Sequence, residues 1–351
     1  MKAPFPYFGS KRTVADKIWK ALGDPAHYIE PFFGSGAVLL NRPDYSGQTE
    51  TVNDKDGLLC NVWRALQDAP DEVAKWCDWP VNHADLNARR IILNKNAGKL
   101  CSMLQVYDDY YDAKLAGYWI WAASCWIGAG LTCPTAIPHI GDTGKGVHSQ
   151  IPHISNSGKG VHSKIPHISD SGKGVHSKIP HISDSGKGVH SKIPHISDSG
   201  MGVQEPYSPG LYEWFRELSE RLRKVRVVCG DWTRVCGGNW QHGMGTVGIF
   251  FDPPYGVEDR AANVYHCDST TLAKDVMLWC LEHGPHPNYR IVLCGYDEHE
   301  GLTRAGWTFE EWKTNGGYGN LGQGQGRANK GRERIYYSPH CIRLGPGLFD
   351  V

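Results

Sequence analysis

Long apolar runs are missing from this sequence. No segment is long and apolar enough to span a membrane, and the opening MKAPFPYFGSKR lacks the uninterrupted apolar stretch of a secretory leader. The expectation is a chain without a membrane anchor. A charge of one sign is missing too. Lys and Arg number 37, Asp and Glu also 37, so the formal net charge is zero. The broadly basic surface common in nucleic-acid binders is therefore absent, and any contact with phosphate has to come from an uneven distribution. Zinc-type cysteine pairs are absent as well. The eleven cysteines form no CxxC, and neither Cys125 with Cys133 nor Cys229 with Cys236 has ligand spacing. They read as free thiols of a reducing cytoplasm, and no metal site is expected.

Apolar residues make up 40% of the chain and aromatics 11%, which is a globular composition. Thirteen tryptophans and sixteen tyrosines exceed the needs of a plain core and suit a protein that also stacks flat rings.

Residues 27–66 alternate in α/β fashion. His27–Glu30 is a short extended run, followed by the tight loop Pro31-Phe32-Phe33-Gly34-Ser35-Gly36, and Ala37-Val38-Leu39-Leu40 predicts the opening of a helix. Glu50–Asp54 predicts a second strand and Leu58–Leu66 a second helix, the start of a sheet with crossover helices. Residues 67 to about 130 read as mostly helical, with a dense aromatic stretch from Trp119 to Trp126. The α/β pattern resumes with strands at Val225–Val228, Val247–Phe251, Arg290–Cys294, around Trp307–Phe309 and at Arg334–Tyr337, and a helix over Thr271–Glu282. One α/β domain is thus split by a long insert.

Within the insert, Ile-Pro-His-Ile begins at Ile137, Ile151, Ile165, Ile179 and Ile193, a strict period of fourteen. Gly-Lys-Gly-Val-His-Ser recurs from Gly144, Gly158, Gly172 and Gly186, with a worn copy at Gly200. Proline and glycine in every copy exclude a helix, and Ser-Asp-Ser-Gly is turn chemistry. The expectation is a stacked β arrangement with the isoleucines and Val147, Val161, Val175 and Val189 as a thin core. Seven lysines (145, 159, 164, 173, 178, 187 and 192) face four aspartates (142, 170, 184 and 198), a mildly basic balance that suits phosphate contact. A homo-oligomer surface and an inert spacer are the competing readings. His139, His153, His167, His181 and His195 recur without cysteines or carboxylates at ligand spacing, which argues against metal.

The chemistry concentrates at Asp252-Pro253-Pro254-Tyr255, directly after the strand Val247–Phe251. Two prolines in succession stiffen a loop at a strand's C-terminal end, where open α/β sheets bind ligands. An exocyclic amine of a nucleobase is a poor nucleophile because its lone pair is delocalised into the ring. The Asp252 carboxylate and the Pro253 carbonyl offer acceptors for its two protons, and Tyr255 an aromatic face for a base taken out of its stack. Gly34 and Gly36 let backbone approach a ligand closely, and Asp54, eighteen residues after Gly36, ends the second strand where an acidic residue accepts from ribose hydroxyls.

These residues resemble a known family. Pro6-Tyr7-Phe8-Gly9-Ser10-Lys11, Glu30–Gly36, Asn53-Asp54 and Asp252–Tyr255 look like the ordered motifs of the Dam-type, alpha-group DNA adenine N6-methyltransferases, and Arg332–Tyr337 like that family's closing strand. The motifs cover most of residues 1–66 and 225–351. The resemblance implies a Rossmann-like S-adenosylmethionine-dependent methyltransferase sheet; in this chain it is interrupted by a helical recognition domain and by the β-rich repeat insert read from the period above. Together with the helical stretch and the fourteen-residue period read above, this gives a catalytic half at 1–66, a target-recognition region at 67–136, five repeats at 137–203 and a second catalytic half at 204–351. Carried over by motif, Tyr7 and Lys11 lie near the methionine end and the reacting centre, Phe32, Gly34 and Gly36 line the cofactor, Asp54 holds its ribose and Asp231 its adenine. Double-stranded DNA is the implied partner. The departure is Ser124–Gly130, where the family typically has a phenylalanine-asparagine-glycine stretch, so no target sequence carries over. Cytosine N4 in DNA, a base in RNA, and a catalytically idle DNA-binding regulator remain as alternative functions.

Overall fold

The computed structural model describes residues 1–7, 9–126, 131, 146–150, 209–238, 243, 245–254, 272–312 and 333–342. Tyr255 and nearly all of the repeat segment lie outside them.

Seven strands form one sheet: β1 (His27–Glu30), β2 (Thr49–Asp54), β3 (Val225–Cys229), β4 (Val247–Phe251), β5 (Tyr289–Gly295), β6 (Thr308–Glu311) and β7 (Arg334–Tyr337). Their order is β3-β2-β1-β4-β5-β7-β6, with β1 to β5 mutually parallel and β7 antiparallel to both neighbours. This mixed α/β sheet is compatible with the Rossmann-like methyltransferase sheet implied by the sequence. Every residue of β1 and of β4 is buried, as expected of parallel strands covered on both faces.

Helices cover both faces. One core gathers Ile18 and Leu22 of α1 (Ala15–Leu22), Leu59 and Trp63 of α2 (Gly57–Asp68), Trp121 of α5 (Ala113–Cys125) and Phe215 of α6 (Pro209–Leu222). The opposite core joins Ile249 and Phe251 of β4 to Val276 and Cys280 of α8 (Leu272–His283). Between α2 and α5 lie α3 (Pro70–Cys77) and α4 (His83–Val106), so the stretch after residue 67 is helical as its pattern predicts. Local chemistry starts these helices: Asp56 caps α2 by accepting from Leu58 N at 2.8 Å, and Asp112 caps α5 by accepting from Leu115 N at 2.8 Å. Among the described residues no helix is long and apolar enough to cross a membrane.

One expectation needs correcting. Ala37–Leu40 does not open an α-helix; a single 3-10 turn, Leu39–Asn41, forms instead. Pro43 forces Arg42 into an extended conformation (ψ 127°), which ends the turn before a helix can propagate. The repeat core expected from the sequence lies outside the described residues except for Val147. Gly146–Gln150 is a short 3-10 helix, and Val147 is buried in the core shared with α5.

Candidate active site

The strand order reverses at β1, whose neighbours are β2 on one side and β4 on the other. Ligands of open α/β sheets bind outside the carboxyl ends of the strands at such a point. A cavity of about 400 Å³ opens there, lined by the loop after β1, the end of β2, the loops after β3 and β4, and the N-terminal segment.

The end of β2 ties these loops together. Asn53 Nδ2 donates to Pro31 O at 3.0 Å and to Gly230 O at 3.1 Å, linking the loops after β1 and β3. Asp54 accepts from Gly34 N at 2.9 Å on Oδ2 and from Asp56 N at 2.9 Å on Oδ1. Burial pushes the Asp54 carboxyl up to about 6, against the pull of these backbone donors. Gly34 has φ 48°, and a Cβ there would lie 2.9 Å from the Tyr7 ring, so the loop passes under Tyr7 only as glycine. Ser35 Oγ meets Ser10 Oγ at 3.2 Å, a second tie between that loop and the N-terminal segment.

At the other end, Lys11 Nζ pairs with Asp252 Oδ2 at 2.8 Å and donates to Gly9 O at 2.9 Å. Lys11 is 5% exposed and Asp252 21%, so the pair sits at the cavity wall with the carboxylate toward the open side. Two further carboxyls stand near it. Burial pushes Glu30 well above the carboxylate range; the Tyr28 hydroxyl, donating to Oε2 at 2.8 Å, opposes this, and the charge of Asp252 adds to it. Burial also raises Glu333, with Lys11 pulling it down and Asp252 pushing it up. An aromatic wall stands beside the polar groups: Phe32 lies 6.4 Å from Trp232 and 6.3 Å from Phe251, ring centre to ring centre.

Of the residues singled out from sequence, the cavity brings together Tyr7, Lys11, Phe32, Gly34, Asp54, Asp231, Asp252 and Pro254. Gly36 and Pro253 are not in its lining. Gly36 (φ 62°) works one step back, where a Cβ would strike the Phe33 ring at 2.7 Å. Asp231 has a structural task too, since its Oδ1 accepts from Thr233 Oγ1 at 2.7 Å at the start of α7 (Thr233–Cys236). Sequence reasoning missed Glu30, Asp56, Trp232 and Asp275, all of which line the cavity. Glu30 opens the quoted motif Glu30–Gly36 and Trp232 follows Asp231 directly, which was the available signal. Nothing local marks Asp275, on α8.

Residues 7–88 match the family model of the D12 class N6 adenine-specific DNA methyltransferases. The matched stretch includes Tyr7, Lys11, the glycine loop and Asp54, and ends before Asp252. No curated protein matches the chain.

Proposed function

We propose, from the premise that the chain belongs through residues 7–88 to the D12 class N6 adenine-specific DNA methyltransferases, that the cavity at the β1/β4 switch point is where S-adenosylmethionine and an adenine turned out of duplex DNA meet. N6 methylation of adenine in DNA is the activity of that family and of this chain. The observation that carries the reading is the Lys11–Asp252 ion pair, which joins residues 241 apart in sequence at one cavity that also holds Gly34 and Asp54.

The residues present fit the methyl donor. The cavity volume of about 400 Å³ lies in the range of small-molecule sites. Gly34 leaves backbone bare beneath Tyr7, and Asp54 ends its strand as a carboxylate acceptor for ribose hydroxyls. Trp232 and Phe32 supply apolar ring surface, with Asp231 beside them. When bound, S-adenosylmethionine supplies an electrophilic methyl group on its sulfonium.

The protein's own part is to make a poor nucleophile available. Asp252 accepts a hydrogen bond from one N6–H and the Pro253 carbonyl from the other, drawing the nitrogen toward a tetrahedral geometry; one of these protons leaves as the methyl group arrives. Lys11 holds the Asp252 carboxylate in one orientation, so little reorganisation is left for the transition state. In this reading Tyr255 stacks on the extruded base. Residues 1–66 and 204–351 are the two catalytic halves, 67–136 contact the target, and the protein works on DNA in the cytoplasm. The cysteines among the described residues are all free, in keeping with that compartment.

The test is methyl transfer from labelled S-adenosylmethionine to mixed-sequence duplex DNA, with digestion of the product to nucleosides. The label is expected in N6-methyldeoxyadenosine; label in N4-methyldeoxycytidine would reassign the substrate, and no transfer would favour an idle binder. Asp252→Ala should abolish transfer while cofactor affinity stays within a few-fold, because the lost acceptor acts mainly as N6 changes geometry. A rate within tenfold of wild type would remove Asp252 from catalysis.

A further inference from the structure

The hexapeptide Gly-Lys-Gly-Val-His-Ser starts at Gly144, Gly158, Gly172 and Gly186. In its first copy, Gly146–Gln150 packs against α5, with Gly146, Val147 and His148 each fitted to it or its neighbours. Gly146 has φ 48°, and a Cβ on it would sit 3.0 Å from Val81 Cγ2, so backbone and close approach both call for glycine. Val147 is 1% exposed, in the core that contains Trp121 and Cys125. His148 Nε2 lies 2.9 Å from Asp78 Oδ1, at the end of α3. The socket therefore reads glycine, valine and histidine in succession. The same three residues recur unchanged at Gly160-Val161-His162, Gly174-Val175-His176 and Gly188-Val189-His190. The worn copy, Gly202-Val203-Gln204, lacks the histidine.

A socket cannot tell identical peptides apart; only the chain tethering each one differs. For the first copy the tethers are 14 residues from Leu131 (132–145) and 58 to Pro209 (151–208). For the later copies they are 28 and 44 (132–159, 165–208), 42 and 30 (132–173, 179–208), and 56 and 16 (132–187, 193–208). Closure probability falls roughly as the 3/2 power of loop length, so lengthening one tether while shortening the other leaves the four arrangements within about twofold of each other. Two differences flank the hexapeptide: Thr143 is Ser157, Ser171 or Ser185 in the later copies, and Gln150, the last residue of the 3-10 helix, is Lys164, Lys178 or Lys192.

We propose that the socket formed by Asp78, Val81, Trp121 and Cys125 accepts any of the four Gly-Val-His copies, so that the repeat segment docks in four exchangeable registers. Each exchange moves fourteen residues from one side of the anchor to the other, and so sets how much chain reaches out on each side. This holds whether or not the cavity transfers methyl groups.

Val147→Asp tests it in two backgrounds by thermal denaturation. In the full-length protein another copy takes the vacated socket, and Tm should shift by less than about 1 °C, since one of four near-equal arrangements is lost. In a chain lacking residues 151–192, which retains only the first hexapeptide, the same substitution should lower Tm by roughly 5 °C or more, because a buried carboxylate has no substitute. A synthetic peptide of residues 158–171 should then restore most of that loss. An equal fall in both backgrounds, including failure of full-length Val147→Asp to fold, would overturn the proposal by making the first copy the sole occupant. No fall in either would overturn it too, since the socket would then hold nothing of consequence. Should the shortened Val147→Asp chain fail to fold, Val147→Ala in the same two backgrounds gives the comparison at smaller amplitude, with the same two overturning outcomes.

Discussion

Asp54 is ionised near neutral pH only at a cost. Burial raises its folded-state pKa to about 6, against ~4 in an unfolded chain, so the charged carboxylate destabilises the folded protein above about pH 6 and this cost is relieved as pH falls from 6 toward 4. If Asp54 holds the cofactor ribose as proposed, the ribose hydroxyls, which donate, favour the same charged form. Cofactor affinity should therefore be full above about pH 7 and decline as pH drops through 6, opposite in direction to this residue's effect on stability. Calorimetric titration of S-adenosylmethionine between pH 5 and 8 reads the profile directly. Asp54→Ala should cost about 1–3 kcal/mol of binding at pH 7.5 and flatten the slope below it. A slope that survives in the variant would assign the titration to another group. Asp54 and Asp252 were legible as candidates in sequence because the first ends a strand and the second directly follows one, beside a glycine or proline loop. Glu30 and Glu333 were not legible as neighbours of Asp252. Their raised protonation comes from burial among residues distant in the chain, which local pattern does not carry.

At the scale of elements, the two sides of the insert are held together by a buried ion network. Arg221 of α6 donates to both oxygens of Glu50 on β2, at 2.7 and 2.9 Å, and Arg42 reaches the same carboxylate at 3.1 Å and Asp24 at 2.9 Å. Arg221 also donates to Leu39 O at 3.0 Å, so the helix that follows the insert is fastened to the 3-10 turn and strand that precede it. Glu50→Gln keeps the volume and removes the charge, leaving two buried guanidinium groups undercompensated. Destabilisation of about 3 kcal/mol or more is expected, seen as a Tm fall of roughly 4–6 °C. The exposed fork between Arg216 and Asp71 is the control: Arg216→Ala should cost under about 1 kcal/mol. Equal effects of the two substitutions would deny the network its role. Of the elements it joins, β2 was readable as the extended run Glu50–Asp54, while α6 (Pro209–Leu222), beyond the repeats, was not foreseen. Ala37–Leu40 misled because its four apolar residues fit a helix, while Pro43 three residues later decides the outcome.

For the molecule as a whole, a net charge of zero leaves the attraction to DNA without an obvious source. The sheet is assembled from residues 27–54 and 225–337, and the segment between them carries the local lysine excess. If repeat lysines lie against phosphates, the affinity for DNA should fall with salt at a slope set by the number of contacts, about 0.9 per phosphate neutralised. Replacing Lys159, Lys164, Lys173 and Lys178 with glutamine should then flatten that slope and weaken binding to all sequences equally, with S-adenosylmethionine affinity unchanged. Fluorescence anisotropy over a salt series supplies the slope, and sedimentation of the same preparation supplies the mass. An unchanged slope with an altered mass would make the repeats a contact between copies of the chain. An unchanged slope with an unchanged mass would make them a spacer, and would move the phosphate contacts to the helical region or to the rim of the cavity. The repeat sequence alone could not choose among these outcomes. Its period reports equivalence of the copies, while the partner of each copy depends on charge and shape across the whole fold.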